Sequence, residues 1–179
     1  MATTAPASAR PRRLGARTRK AVLVTHIVSV SVWIGLDAAL GVLVFTALLT
    51  DDTQVAAVAW QALVLIALWP MFTASLAGLA SGAVLGLGGK YGLVRYWWVA
   101  VKLAINLLMS ALILFALRPG LVEAAAYGRE LATGSTALPE PTGLLFPVFV
   151  APTLLLIAVL LSVYKPWGRI RERAAPSRR

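Results

Sequence analysis

Three ionisable side chains, those of His26, Asp37 and Lys102, lie inside long apolar stretches of the sequence. Placing such a group near the centre of a bilayer costs about 2.5–3.5 kcal/mol on insertion scales, so it usually has a partner or a task. An imidazole can ligate a metal ion or a haem iron, and a carboxyl or ammonium group can carry a proton or hold an ion of opposite charge. These residues are therefore the first candidates for function.

Helical spacing predicts that His26 and Lys102 form one polar layer. With a rise of about 1.5 Å per residue, both lie roughly 6–10 Å inside the same end of their helices. They are the candidate cofactor-binding residues, and Asn106 lies one turn beyond Lys102 on the same face. Alternatively, Lys102 extends its ammonium group back to the membrane surface.

Asp37 lies three helical turns after His26 on the same face, nearer the opposite membrane surface. Gln61 on the next helix is at a similar depth and is the predicted hydrogen-bond partner of Asp37. Two interpretations stay open for Asp37: a polar contact that joins two helices, or a charge site.

Gly78, Gly82 and Gly86 recur at every fourth residue and therefore share one face of a helix. A neighbouring helix can approach closely where side chains are missing, so the pattern predicts a packing face. A second hypothesis is that these glycines leave a slot for a flat group.

The chain has one His and no Cys. It therefore lacks the residues for a multi-histidine or thiolate metal site, and we expect Met71 and Met109 to be packing residues. No Ser-His-Asp arrangement, phosphate-binding loop or dinucleotide motif is present, so the sequence predicts neither an enzyme nor a non-enzyme.

The composition indicates a membrane protein, because 59% of the 179 residues are hydrophobic and only 13% are charged. Soluble domains carry about 25% charged residues. About 20 apolar residues cross a bilayer as a helix, and the second of the predicted spans is long enough either to tilt or to bend at Pro70. The sequence thus predicts an all-α integral membrane four-helix bundle between residues 21 and 165, with spans Ala21–Leu49, Val55–Leu87, Tyr96–Leu117 and Gly143–Tyr164. A short helix at Leu121–Leu131 is allowed within the loop that follows the third span.

Basic residues predict the orientation. Of the 17 Lys and Arg residues, 14 lie in the N-terminal tail, in the second loop, which holds Lys90 and Arg95, or from Lys165 to the C-terminus. The other three are Lys102, Arg118 and Arg129. The positive-inside rule therefore predicts both termini in the cytoplasm, with basic tails at residues 1–20 (disordered) and 166–179. We expect a multi-pass protein of the bacterial plasma membrane, without a cleaved signal peptide. Its partners are the lipid bilayer and, as an open alternative, a second copy of the chain, but not nucleic acid.

Two segments resemble a group of small bacterial membrane proteins. The stretch from His26 through Trp33 to Gly35 resembles their first helix, and the stretch from Trp97 to Lys102 resembles a later one. The group includes CopD-like copper-resistance proteins and the HemJ-type protoporphyrinogen oxidase. The junction between Gly86 and Trp98 is closer still to a four-helix bacterial family defined by a domain of unknown function, over roughly residues 21–165.

The resemblance to HemJ-type proteins implies that His26 is an axial ligand of haem b and that Lys102 lies beside the porphyrin. The chain differs from those proteins after its first-helix motif, where Leu36 and Asp37 replace their Arg- and Tyr-rich stretch. It also lacks the additional histidines of CopD-like proteins.

Three hypotheses for function follow. The chain is a membrane protein whose polar layer only specifies helix packing, a haem-binding redox protein, or a small ion or proton transporter that uses Asp37 and Lys102.

Overall fold

All elements of regular structure in the described chain are helical, which confirms the predicted all-α class. The computed structural model describes residues 14–88, 93, 96–135 and 137–166. The helices, in chain order, are α1 (Ala16–Leu49), α2 (Thr53–Ala67), α3 (Trp69–Leu87), α4 (Trp97–Leu112), α5 (Arg118–Ala132) and α6 (Leu145–Tyr164). A π-helical turn, Ile113–Leu117, joins α4 to α5, and a 3₁₀ turn, Thr142–Leu144, precedes α6.

Four helical stretches are long and apolar enough to cross a bilayer: Ala16–Leu49, Thr53–Leu87, Trp97–Ala132 and Thr142–Tyr164. The chain is thus a multi-pass membrane protein of four spans, as predicted. Consecutive spans run antiparallel, so α1 begins and α6 ends at the same end of the bundle, here called the termini end.

Apolar side chains cover the outside of the bundle as well as its core. Leu65 and Phe115 are 76% and 80% exposed, whereas Trp33, Trp60 and Leu63 are almost fully buried. Lipid tails are as apolar as these side chains, so exposure to lipid carries no penalty. Helices in lipid are held together by close packing and by hydrogen bonds between them.

The bend that the sequence allowed at Pro70 is found as a break between α2 and α3 at Leu68. Pro70 lies in the first turn of α3, where backbone N–H groups have no acceptor within the helix, so its missing N–H removes no hydrogen bond. The start of α2 is capped by the Asp52 carboxylate, which accepts hydrogen bonds from the backbone N–H groups of Gln54 and Val55 at 2.8 and 3.2 Å.

The sequence predicted that the third span ends at Leu117, but the helical structure does not end there. It continues through the π-helical turn into α5, which includes the short helix allowed at Leu121–Leu131. Pro119 has no backbone N–H to donate to the preceding turn, and the wider π turn accommodates it. A Cβ atom at Gly128 would lie 2.8 Å from the carbonyl oxygen of Ala57, so α5 packs closely against α2.

Some predictions fall on residues that the structure does not describe. Residues 1–13 and 167–179 of the tails, and Lys90 and Arg95 of the second loop, lie outside the described residues. Helix α1 begins at Ala16, so the last part of the predicted tail 1–20 is helical.

Candidate functional site

His26 contacts α3 through one side of its imidazole ring. Its Nδ1 atom lies 3.0 Å from the carbonyl oxygen of Gly78 and 3.0 Å from the hydroxyl oxygen of Ser81. The Ser81 hydroxyl donates its own proton to the carbonyl of Ala77. We assign the ring proton to Nδ1, because a carbonyl oxygen only accepts and the Gly78 carbonyl then receives a hydrogen bond. In this tautomer Nε2 of the neutral ring keeps a lone pair. Within the described part of the chain Nε2 makes no hydrogen bond.

The glycine face of α3 is where this ring lies. A Cβ atom at Gly82 would be 3.1 Å from His26 Cε1, whereas one at Gly78 would meet the Asn106 amide nitrogen and Val30 at 3.8 Å. The flat group beside Gly82 is therefore the imidazole of α1 itself. The sequence left two hypotheses for these glycines, a packing face and a slot for a flat group. At Gly82 both hold, because the helix that packs there, α1, does so through the flat ring of His26.

Lys102 joins α4 to α6. Its ammonium group donates a hydrogen bond of 2.8 Å to the Ser162 hydroxyl, which in turn donates to the Ala158 carbonyl at 3.0 Å. The same Nζ atom lies 5.0 Å from the centroid of the Trp98 ring, within range of a cation–π contact. Trp98 is one turn nearer the termini end, so the charge is directed towards that end while it stays in contact with α6.

Asn106 belongs to a chain of polar groups between α4 and α3. The Ser110 hydroxyl donates to the Asn106 carbonyl at 2.9 Å and lies 3.2 Å from the hydroxyl of Ser75, which is fully buried. Sequence reasoning missed these serines, because a helical Ser usually bonds to its own backbone. The available signal was their spacing, since Ser110 follows Asn106 by one turn and Ser81 follows Gly78 by one turn.

His26 and Lys102 both line an apolar cleft of about 980 Å³ between α1, α3, α4 and α6 at the termini end. The charged side chains that line it, Arg19 and Lys102, are both basic. A smaller cavity of about 140 Å³, also lined by His26 and Lys102, extends towards Asn106 and Met109. The structure thus places an imidazole and two cations around one apolar space.

Asp37 and Gln61 do not belong to this site, and the predicted contact between them is wrong. The Gln61 amide donates to the carbonyls of Ala57 and Gly128 at 3.1 and 3.2 Å, and so joins α2 to α5. Asp37 is buried and lines a separate cavity nearer the other end of the bundle. Of the predicted site residues, five line the small cavity at the termini end: His26, Gly78, Gly82, Lys102 and Asn106. Gly86 lines the larger cleft.

Comparison of the chain with protein-family models, with curated proteins and with solved structures finds no match. Fold and site together define a four-helix membrane protein with a basic, apolar cleft that contains one histidine.

We predict that Gly82→Ala destabilises the protein relative to Gly78→Ala by about 1 kcal/mol or more. Both changes remove the entropic cost of glycine in a helix, but only the Gly82 methyl group is forced against the His26 ring. Unfolding in detergent micelles, followed by tryptophan fluorescence, measures the difference. In a His26→Ala background, Gly82→Ala and Gly78→Ala should change the free energy of unfolding by equal amounts. If the two changes destabilise the protein equally when His26 is present, the position of the ring beside Gly82 is contradicted.

Proposed function

We propose that this chain is a membrane protein that binds haem b in the cleft at the termini end, with His26 as an axial ligand. The observation that carries the proposal is the hydrogen bond from Nδ1 to the Gly78 carbonyl. Histidines that ligate metals usually donate their other ring nitrogen to a carbonyl or carboxylate, which fixes the tautomer and makes the ligating nitrogen more basic. The α3 backbone thus prepares Nε2 as a ligand.

The lining of the cleft supports the same ligand. Haem b has a flat apolar ring and two anionic propionates, and the cleft combines apolar walls with the cations of Arg19 and Lys102. Its volume of about 980 Å³ is at the upper end of the range of about 300–1,000 Å³ for small-molecule pockets. Lys102 would exchange its contact with Ser162 for a propionate oxygen, which is a charge-assisted hydrogen bond.

With one His in the chain, a second histidine ligand would have to come from His26 of a second copy. Bound haem would supply one-electron redox chemistry. The resemblance to HemJ-type proteins agrees with the proposed roles of His26 and Lys102, and an oxidase activity becomes worth assaying once haem is found.

An absorption spectrum of the detergent-purified protein, oxidised and reduced, tests the haem proposal. We expect a Soret band in the wild type that is absent in His26→Ala. In Lys102→Ala we expect haem affinity to fall about tenfold, because a charged hydrogen bond is lost. Lys20→Ala is the matched control, because it removes an exposed cation of α1 that does not line the cleft, and its spectrum should equal that of the wild type. A folded wild type that stays colourless after haem is supplied would contradict the proposal and leave the polar layer as helix packing.

We further propose that the protein lies in the bacterial plasma membrane with both termini in the cytoplasm. In the described chain, Arg17, Arg19, Lys20 and Lys165 cluster at the termini end, and Arg118 and Arg129 lie in α5 towards the other end. Lys and Arg are enriched on the cytoplasmic side of membrane proteins, which favours this orientation.

The absence of cysteine makes the orientation simple to test. We expect a membrane-impermeant maleimide to label Ala137→Cys in intact cells and to label Ser177→Cys only after the membrane is opened. Ala137 lies in the exposed loop before α6, and Ser177 lies in the C-terminal tail. The cysteine-free wild type controls for background, and labelling in the reverse order would contradict the orientation.

A further inference from the structure

A second cavity, of about 340 Å³, lies in the half of the bundle away from the termini end. Its walls come from α1, α3, α4, the π-helical turn, the start of α5 and the start of α6. The ionisable side chains that line it are two carboxylates, Asp37 and Glu123, and no basic side chain lines it in the described chain. In charge, it is the opposite of the cleft that contains His26.

Asp37 is a buried acceptor without a partner. It is 5% exposed, yet its carboxyl group makes no hydrogen bond or ion pair with any residue that the structure describes. The other buried Ser, Thr or charged residues, Ser29, Ser75, Ser81 and Ser110, are all hydrogen-bonded. The buried indole N–H groups of Trp33 and Trp60 also make no hydrogen bond within the described chain, but they carry no charge. An ionisable group in a membrane helix normally has a partner or faces a cavity, because its burial is costly. Asp37 has no partner in the described chain, and it lines this cavity.

The cavity is also where the backbone departs from regular helix. Ile113 and Leu117, at the two ends of the π-helical turn, line it together with Pro119. Such single π turns often occur at functional sites, since the wider turn changes where side chains point. Glu123, one turn after Pro119, is exposed and therefore lies at the mouth of the cavity.

We propose that this second cavity binds an organic ammonium ion with an apolar body. The Asp37 carboxylate accepts the N–H group of the ligand, and the apolar walls, which include Leu40, Phe146 and Val150, surround its body. Glu123 attracts the cation to the mouth. A metal ion fits poorly, because the described residues contain no group of three His, Cys, Asp or Glu side chains, and hard cations require about six oxygen ligands. The site does not depend on haem binding at His26.

Isothermal titration of the purified full-length chain with 2-phenylethylamine tests the proposal, at a pH where the amine is charged. The neutral 2-phenylethanol has the same apolar body and serves as the matched probe. We expect saturable binding of the amine that is at least tenfold tighter than binding of the alcohol, because only the amine forms a charged hydrogen bond. Equal binding of the two probes, or no saturable binding of the amine, would overturn the proposal.

Two variants assign the binding to this cavity. Asp37→Asn keeps the shape of the side chain and should weaken amine binding at least tenfold, whereas Asp51→Asn, at an exposed carboxylate between α1 and α2, should not change it. Gly143→Leu should also weaken binding without lowering the unfolding temperature, because Gly143 lines the cavity and a Cβ atom there meets nothing within 4 Å. If Asp37→Asn does not fold, Gly143→Leu decides the matter: weaker binding supports the site, and unchanged binding overturns it.

Discussion

The hydrogen bond between the His26 imidazole and the Gly78 carbonyl is the interaction on which the termini-end half of the bundle depends. It requires α1 and α3 to lie close together, and Gly82 leaves room for the ring, since a Cβ atom there would lie 3.1 Å from His26 Cε1. In lipid no water competes for the carbonyl, so the contact is not exchanged for solvent. One backbone oxygen thus sets the helix spacing, the ring orientation and the tautomer.

The other polar groups of the bundle also form hydrogen bonds within the protein, because lipid offers them no partners. Lys102 is held by Ser162, and Ser110 connects the Asn106 backbone to Ser75. Within the described chain, the Asp37 carboxyl and the indole N–H groups of Trp33 and Trp60 have no such partner, and Asp37 is the ionisable one and lies at a cavity. The bundle therefore has two apolar spaces of opposite charge, a basic one beside His26 and an acidic one beside Asp37, and they suit anionic and cationic amphiphiles respectively.

These two spaces are neighbours within the fold. Met109 lines both the acidic cavity and the small cavity that extends inward from His26. Trp33 and Asp37 are one turn apart on α1, with Trp33 at the small cavity and Asp37 at the acidic one.

Much of the architecture could be predicted from the sequence because lipid imposes strong constraints. Long apolar runs set the four spans, Pro70 marked the break of the second, and the spacing of Gly78 and Gly82 marked the face that α1 approaches. His26 and Lys102 were expected at one depth, and both line the same cleft.

The remaining features depend on three-dimensional contacts that spacing does not contain. Pro119 and Gly128 are typical of loops, yet both lie within α5, and Gly128 allows α2 to approach α5 closely. Depth alone suggested Gln61 as the partner of Asp37, and it could not show that α5, with its carbonyl at Gly128, lies nearer to Gln61. The π-helical turn has no periodic signature in the sequence.

The tautomer of His26 is the most direct test of this account. Because the chain has one His, selective ¹⁵N-histidine labelling gives a single pair of ring signals in the NMR spectrum of the haem-free protein. The contact with the Gly78 carbonyl predicts that the neutral ring carries its proton on Nδ1 and that Nε2 is unprotonated, both in the wild type and in a Ser81→Ala variant. A proton on Nε2 and a bare Nδ1 would contradict it, since the Gly78 carbonyl could then receive no hydrogen bond from the ring.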